Sequence, residues 1–134
     1  MGESAEHIKL VHLLEKNVLK DNKNINSSLI FIDTPESRNN CPPTINGYKP
    51  DLYYQFEKFL IIGEAKTRND LDNIHTRKQI ETYILMCSNF EGNSLFYLAV
   101  PWKDSNFAYN TVKKIMKDLG ASIIFKVVDE IQSL

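Results

Sequence analysis

Asp51, Glu64 and Lys66 place two carboxylates and an amine on two neighbouring segments that both read as β-strand. Residues i and i+2 of a strand share a face, so Glu64 and Lys66 project together while Ala65 points away. The runs DLYYQF (51–56) and FLIIGEAKT (59–67) are separated only by Glu57-Lys58, the spacing of a hairpin. Such a hairpin can bring Asp51 alongside Glu64. Two carboxylates with an ammonium beside them form a hard-oxygen site suited to Mg²⁺. That chemistry polarises a phosphoryl oxygen and activates water, with the lysine orienting the water or neutralising charge that grows on the phosphate. The plainer alternatives are a turn acid at Asp51 after Pro50, and a solvent-facing charge pair at Glu64 and Lys66 on an edge strand. The polar residues of GEAK follow directly on the apolar run FLII, where a strand leaves the core, and this favours a site.

The rest of the chain supplies elements that could hold such a strand pair. Ile8, Val11, Leu14 and Val18, with Leu10 beside them, recur at helical spacing from Glu3 to about Lys20. The polar stretch 21–28 ends that helix. LIFI (29–32) reads as a short strand, and 33–50, rich in Pro, Asn and Gly, reads as a long irregular loop of the kind that is usually functional or mobile. Gly63 interrupts the second hairpin strand just before the carboxylate, where a bulge or a close backbone approach is common. A helix is expected over 76–88, with Ile80, Tyr83, Ile84 and Cys87 on one face. SLFYLAV (94–100) reads as a buried strand closed by Pro101. Residues 105–119 carry an apolar stripe, with Lys113, Lys114 and Lys117 on the opposite face and Gly120 as the stop. SIIFKVV (122–128) is a last strand. The expected class is α/β in the order α-β-β-β-α-β-α-β, as one domain over 1–134.

Pro50-Asp51, a step of thirteen residues to Glu64, and then Ala65-Lys66 resemble the PD-(D/E)xK signature of restriction-endonuclease-like nucleases. The element order is similar to that superfamily's three-layer αβββαβ core, with an additional C-terminal helix and strand. The opening GESAE resembles the GxxAE pattern of the archaeal Holliday junction resolvases and the VRR-NUC group. The resemblance implies Asp51 and Glu64 as metal ligands, the Ala65 carbonyl as a further ligand, and Lys66 as the residue that positions or activates water. It also implies an acid from the first helix. Glu6 fits the pattern and is the expected residue, although the helical wheel places Glu3 and His7 nearer the apolar face. The implied cofactor is Mg²⁺, with Mn²⁺ as a substitute, and the implied reaction is endonucleolytic hydrolysis of DNA that leaves a 5′-phosphate.

Lys49, Arg68, His75, Arg77 and Lys78 cluster in sequence near the motif and are candidate phosphate contacts. Asp70 and Asp72 in the same stretch make a solvated charged surface the competing account. Gln79 is a candidate for the site or, with Thr76 three residues earlier, part of a capping box; the cap is the expected role. Trp102, after Pro101, has no assigned role, and packing is the default. Net charge is −1, which argues against a protein that coats nucleic acid by charge alone. Cys41 and Cys87 match no zinc or redox spacing and read as free thiols in a reducing cytoplasm. No apolar run is long enough to cross a bilayer and MGESAEHIKL has no signal-peptide pattern, so a cytoplasmic protein is expected. DNA is the expected partner, with a homodimer or a larger repair or defence complex as further possibilities. The competing function is a non-catalytic nucleic-acid-binding or assembly module on the same fold.

Overall fold

The apolar pattern of residues 59–65 decides the architecture, because consecutive residues of that strand need cover on both faces. The computed structural model describes residues 4–36 and 40–131. Its helices are α1 (Ala5–Asp21), the single turn α2 (Arg68–Leu71), α3 (Ile74–Asn89) and α4 (Ser105–Leu119). The strands are β1 (Phe31–Ile32), β2 (Leu52–Phe56), β3 (Phe59–Ala65), β4 (Asn93–Ala99) and β5 (Ile124–Val128). They form one five-stranded mixed sheet in the order β1-β2-β3-β4-β5. β1 pairs with β2 and β2 with β3 antiparallel, while β4 runs parallel to both β3 and β5.

The helices cover the two faces unequally. Leu10, Val11, Leu14 and Val18 of α1 pack with Leu52, Tyr54, Ile61, Ala65 and Tyr97 on one face. On the other, Ile80, Tyr83 and Ile84 of α3 and Ala108, Val112 and Ile115 of α4 pack with Tyr53, Leu60, Ile62, Phe96 and Leu98. By alternation along β3, Glu64 turns to the α3 face with Ile62. Gly63 turns to α1. A Cβ there would lie 2.9–3.1 Å from three atoms of the Leu14 side chain, so glycine lets the helix come close to the strand. The register of β3 runs unbroken from 59 to 65, so Gly63 marks a close approach and not a bulge.

The expected element order is observed, with α2 as an addition. LIFI is shorter as a strand than expected: Ser27–Leu29 forms a 3₁₀ turn and only Phe31 and Ile32 pair with β2. Helix α3 begins earlier than expected because Asn73, not Thr76, is its N-cap, accepting the Thr76 amide at 2.8 Å. The Thr76 hydroxyl donates instead to the Asp70 carbonyl. The expected Thr76–Gln79 capping box is therefore not formed, and the Gln79 side chain is left for other contacts. Gly120 ends α4 in the left-handed conformation, as its sequence position indicates. No helix among the described residues is long and apolar enough to cross a membrane.

The β2–β3 turn is tied to the start of β4, where the Asn93 amide donates to the Lys58 carbonyl at 2.8 Å. Gly92 stands there at φ +148, and a Cβ would fall 2.3 Å from the Lys58 carbonyl oxygen. Gly92→Ala is expected to lower unfolding free energy by about 1–3 kcal/mol, through backbone strain and displacement of this contact. A denaturant midpoint equal to that of the unmodified protein would contradict this account.

Candidate active site

Asp51 enters β2 through two backbone bonds. Its amide donates to the Gly63 carbonyl at 3.0 Å and its carbonyl accepts from the Asp33 amide at 2.8 Å. This fixes the start of the side chain. Its Oδ2 then accepts the Ala65 amide at 2.8 Å and lies 3.3 Å from His7 Nε2. Glu64, near the end of β3, is only 3% exposed and Asp51 only 4%. Two carboxylates are thus held in the protein interior at the end of neighbouring strands.

Lys66 follows directly after β3, and its amide donates to the Ala99 carbonyl of β4 at 3.0 Å. Its Nζ lies 3.4 Å from Glu64 Oε2 and donates to Gln79 Oε1 at 2.6 Å. Each carboxylate therefore has one oxygen engaged, Asp51 Oδ2 by the Ala65 amide and His7, and Glu64 Oε2 by Lys66. Glu64 Oε1 is buried with no hydrogen-bond partner. A buried, unpaired carboxylate oxygen is costly and is uncommon in a purely structural ion pair. The Tyr83 hydroxyl on α3 is likewise buried without a partner, with Glu64 and Gln79 as polar neighbours.

Burial raises the Glu64 carboxyl well above the ordinary carboxylate range, and repulsion from Asp51 adds to the effect. Lys66 and His7 pull in the opposite direction without cancelling it. Tyr83 is also held protonated, first by burial and then by the two carboxylates. Paired acids destabilised in this way are typical of sites that meet a cation or a proton during function.

Among the described residues, no group of three or more His, Cys, Asp or Glu side chains is placed to hold a metal ion. A cation here would rest on two carboxylates, with backbone and water completing its shell. That ligand set suits Mg²⁺, which keeps several waters, and not a structural Zn²⁺. The unpaired Glu64 Oε1 and the repulsion between the acids fit such an ion.

The other expected residues divide. Gln79 joins the site through Lys66. Glu6 is exposed and lines a shallow cleft with Lys9, Pro101 and Glu130, so it is not brought to the carboxylates. The first helix presents His7 instead. Ser4 caps α1 by accepting the His7 amide, and the following turn directs the imidazole to Asp51. Glu3 lies outside the described residues. Arg77 is engaged by Asp118 at 2.7 Å and by Glu81 at 3.6 Å. Lys49 lies 3.5 Å from Asp33, and Arg68 lies 2.7 Å from the buried Asp104. His75 is exposed, with its ring 5.5 Å from that of Tyr48, and Lys78 is exposed. The sequence reading missed His7 and Tyr83 as site residues. Both carried a signal: His7 lies near the apolar face of α1, and Tyr83 is one helical turn beyond Gln79.

Comparisons with protein-family models, curated proteins and solved structures return no match.

Because the folded-state pKa of Glu64 is raised, its contribution to stability is fully present below the unfolded carboxylate pKa and is lost as pH rises through the folded value. Glu64→Gln removes that loss. Metal-free Glu64→Gln should be more stable than the unmodified protein by about 1–3 kcal/mol at neutral pH, with the difference shrinking in acid. Thermal melts of both proteins across pH test this, and parallel profiles would refute it.

Proposed function

We propose that this chain is a Mg²⁺-dependent nuclease that hydrolyses DNA phosphodiester bonds, on a restriction-endonuclease-like αβββαβ core extended by α4 and β5. The single observation that carries this reading is the buried pair Asp51 and Glu64, with one carboxylate oxygen unpaired and Lys66 held beside it. The mixed sheet, with one helix on one face and two on the other, supports the fold half of the reading. Asp51, Glu64 and the Ala65 carbonyl would hold the cation, with Mn²⁺ an effective replacement. His7 Nε2 is near enough to Asp51 to steady that carboxylate.

Lewis-acid polarisation of the phosphate and a more acidic water are what such an ion supplies when bound. The protein side of the reaction falls to Lys66. Gln79 and Glu64 fix its ammonium at the rim of the acidic pair, where it can hydrogen-bond the attacking water or the charge developing on the phosphate. Water adds to phosphorus and the bond to O3′ breaks, leaving a 3′-hydroxyl and a 5′-phosphate. Burial of the carboxylates strengthens each of these electrostatic contacts relative to bulk water.

One observation favours the assembly half of a second reading, a non-catalytic nucleic-acid-binding or assembly module on the same fold. Net charge is −1 and Lys49, Arg68 and Arg77 each face an acid, which leaves modest positive surface for a phosphate backbone. A divalent-ion titration separates the two readings. The nuclease should gain thermal stability with Mg²⁺ or Mn²⁺, and Asp51→Asn and Glu64→Gln should each abolish the gain. Nicking of supercoiled DNA should require the ion and fall by about 10²-fold or more in Lys66→Ala, with circular dichroism unchanged. Equal cutting by all three variants would remove the nuclease assignment.

A further inference from the structure

Trp102 opens the 3₁₀ turn Trp102–Asp104 that follows β4, and the residue is 49% exposed. The packing role expected from sequence is therefore at most partial. Isolated apolar residues on a surface are ordinary, but the position and company of this one are specific. Ala99 of β4 is level with Ala65 of β3, and its carbonyl accepts the Lys66 amide. Trp102 follows three residues later, so its backbone lies within roughly 10 Å of that of Ala99. The turn is anchored to the segment just past Lys66 by the 2.7 Å bond from Arg68 to the buried Asp104. Lys103 Nζ lies 5.8 Å over the indole ring. Next to it, a groove is lined by Arg68, Leu71, Asp72, Lys103, Asp104 and Phe107, so its two basic side chains are matched by two acids, and Phe107 is also a large exposed apolar residue. On the other side, the Trp102 amide donates to Glu130 at 3.3 Å, so that flank is acidic.

We propose that Trp102 is a stacking platform for an unpaired base of a DNA strand, which runs from the Asp51–Glu64 site past Lys103 toward Phe107. The proposal rests on the nuclease reading for its purpose and narrows the substrate to single-stranded ends, flaps or frayed junctions. Exposed aromatic rings interleaved with basic side chains hold single strands, because every base offers a π-face whatever the sequence. A duplex keeps those faces stacked inside. With a net charge of −1, the chain has little to gain from phosphate contacts alone, and stacking supplies affinity that salt screens weakly. An arriving base takes the ring face, and Lys103 turns from the indole to the adjoining phosphate.

Trp102 is the sole tryptophan of the chain, so its fluorescence reports this contact directly. With EDTA present to prevent cleavage, an oligo-dT strand should quench the emission saturably, and a blunt duplex of equal length should quench it little. Anisotropy of labelled oligo-dT should show affinity weakened roughly tenfold in Trp102→Ala and largely kept in Trp102→Phe, with melting temperatures unchanged. Absence of oligo-dT binding, binding without quenching, or equal affinity in Trp102→Ala would overturn the platform. Quenching with the expected loss in Trp102→Ala, but no cleavage with Mg²⁺ or Mn²⁺, would uphold the platform and remove the nuclease reading. Metal-dependent cleavage without quenching would do the reverse.

Discussion

Two carboxylates buried at the end of one sheet set the terms for the residues around them. An acid out of water is tolerated only where donors or cations meet it. Asp51 meets that requirement with the Ala65 amide and His7, and Glu64 meets it only in part with Lys66. The part left over is Glu64 Oε1, with Tyr83 close by and also unpaired. Such a residue of unmet electrostatics is what a divalent ion could relieve, and the surrounding elements hold the cluster together.

That holding is distributed over both layers of helices. Gly63 lets Leu14 press against the strand, which brings α1 close enough for His7 to reach Asp51. On the other face, the Asn73 cap sets the start of α3, so that Gln79 on its second turn faces Lys66. The hairpin and the β3–β4 pairing fix the two strand ends that carry the acids and the amine. A shift of any one of these elements by a residue would turn its side chain to another face. The cluster is therefore a property of the layered packing and not of one loop.

Legibility in the sequence followed the strength of the local pattern. The long helices, the buried strand 93–99 and the hairpin were readable because apolar periodicity and turn spacing are local signals. The 29–32 segment was less so, since two paired residues at a sheet edge leave almost no periodicity to read. Thr76 misled because a capping box and an Asn cap three residues earlier are both locally acceptable. The hydroxyl's bond to the Asp70 carbonyl, made across α2, decided between them. Trp102 has no periodic neighbours, and its exposure depends on how the turn after β4 leaves the sheet.

By itself, the sequence determined that Asp51, Glu64 and Lys66 would gather at one end of adjoining strands, since alternation and hairpin spacing follow from backbone geometry alone, although Asp51 stands just before β2 and Lys66 just after β3. Only the tertiary structure decided which residues from elsewhere complete the group. His7 took the place expected of Glu6, Gln79 left its expected cap for Lys66, and Tyr83 turned its hydroxyl toward the acids. The physical reason is that a helix face is chosen by packing against the sheet. Neighbouring residues such as Glu6 and His7 differ by about 100° around the axis, so which of them meets the site depends on where α1 comes to rest.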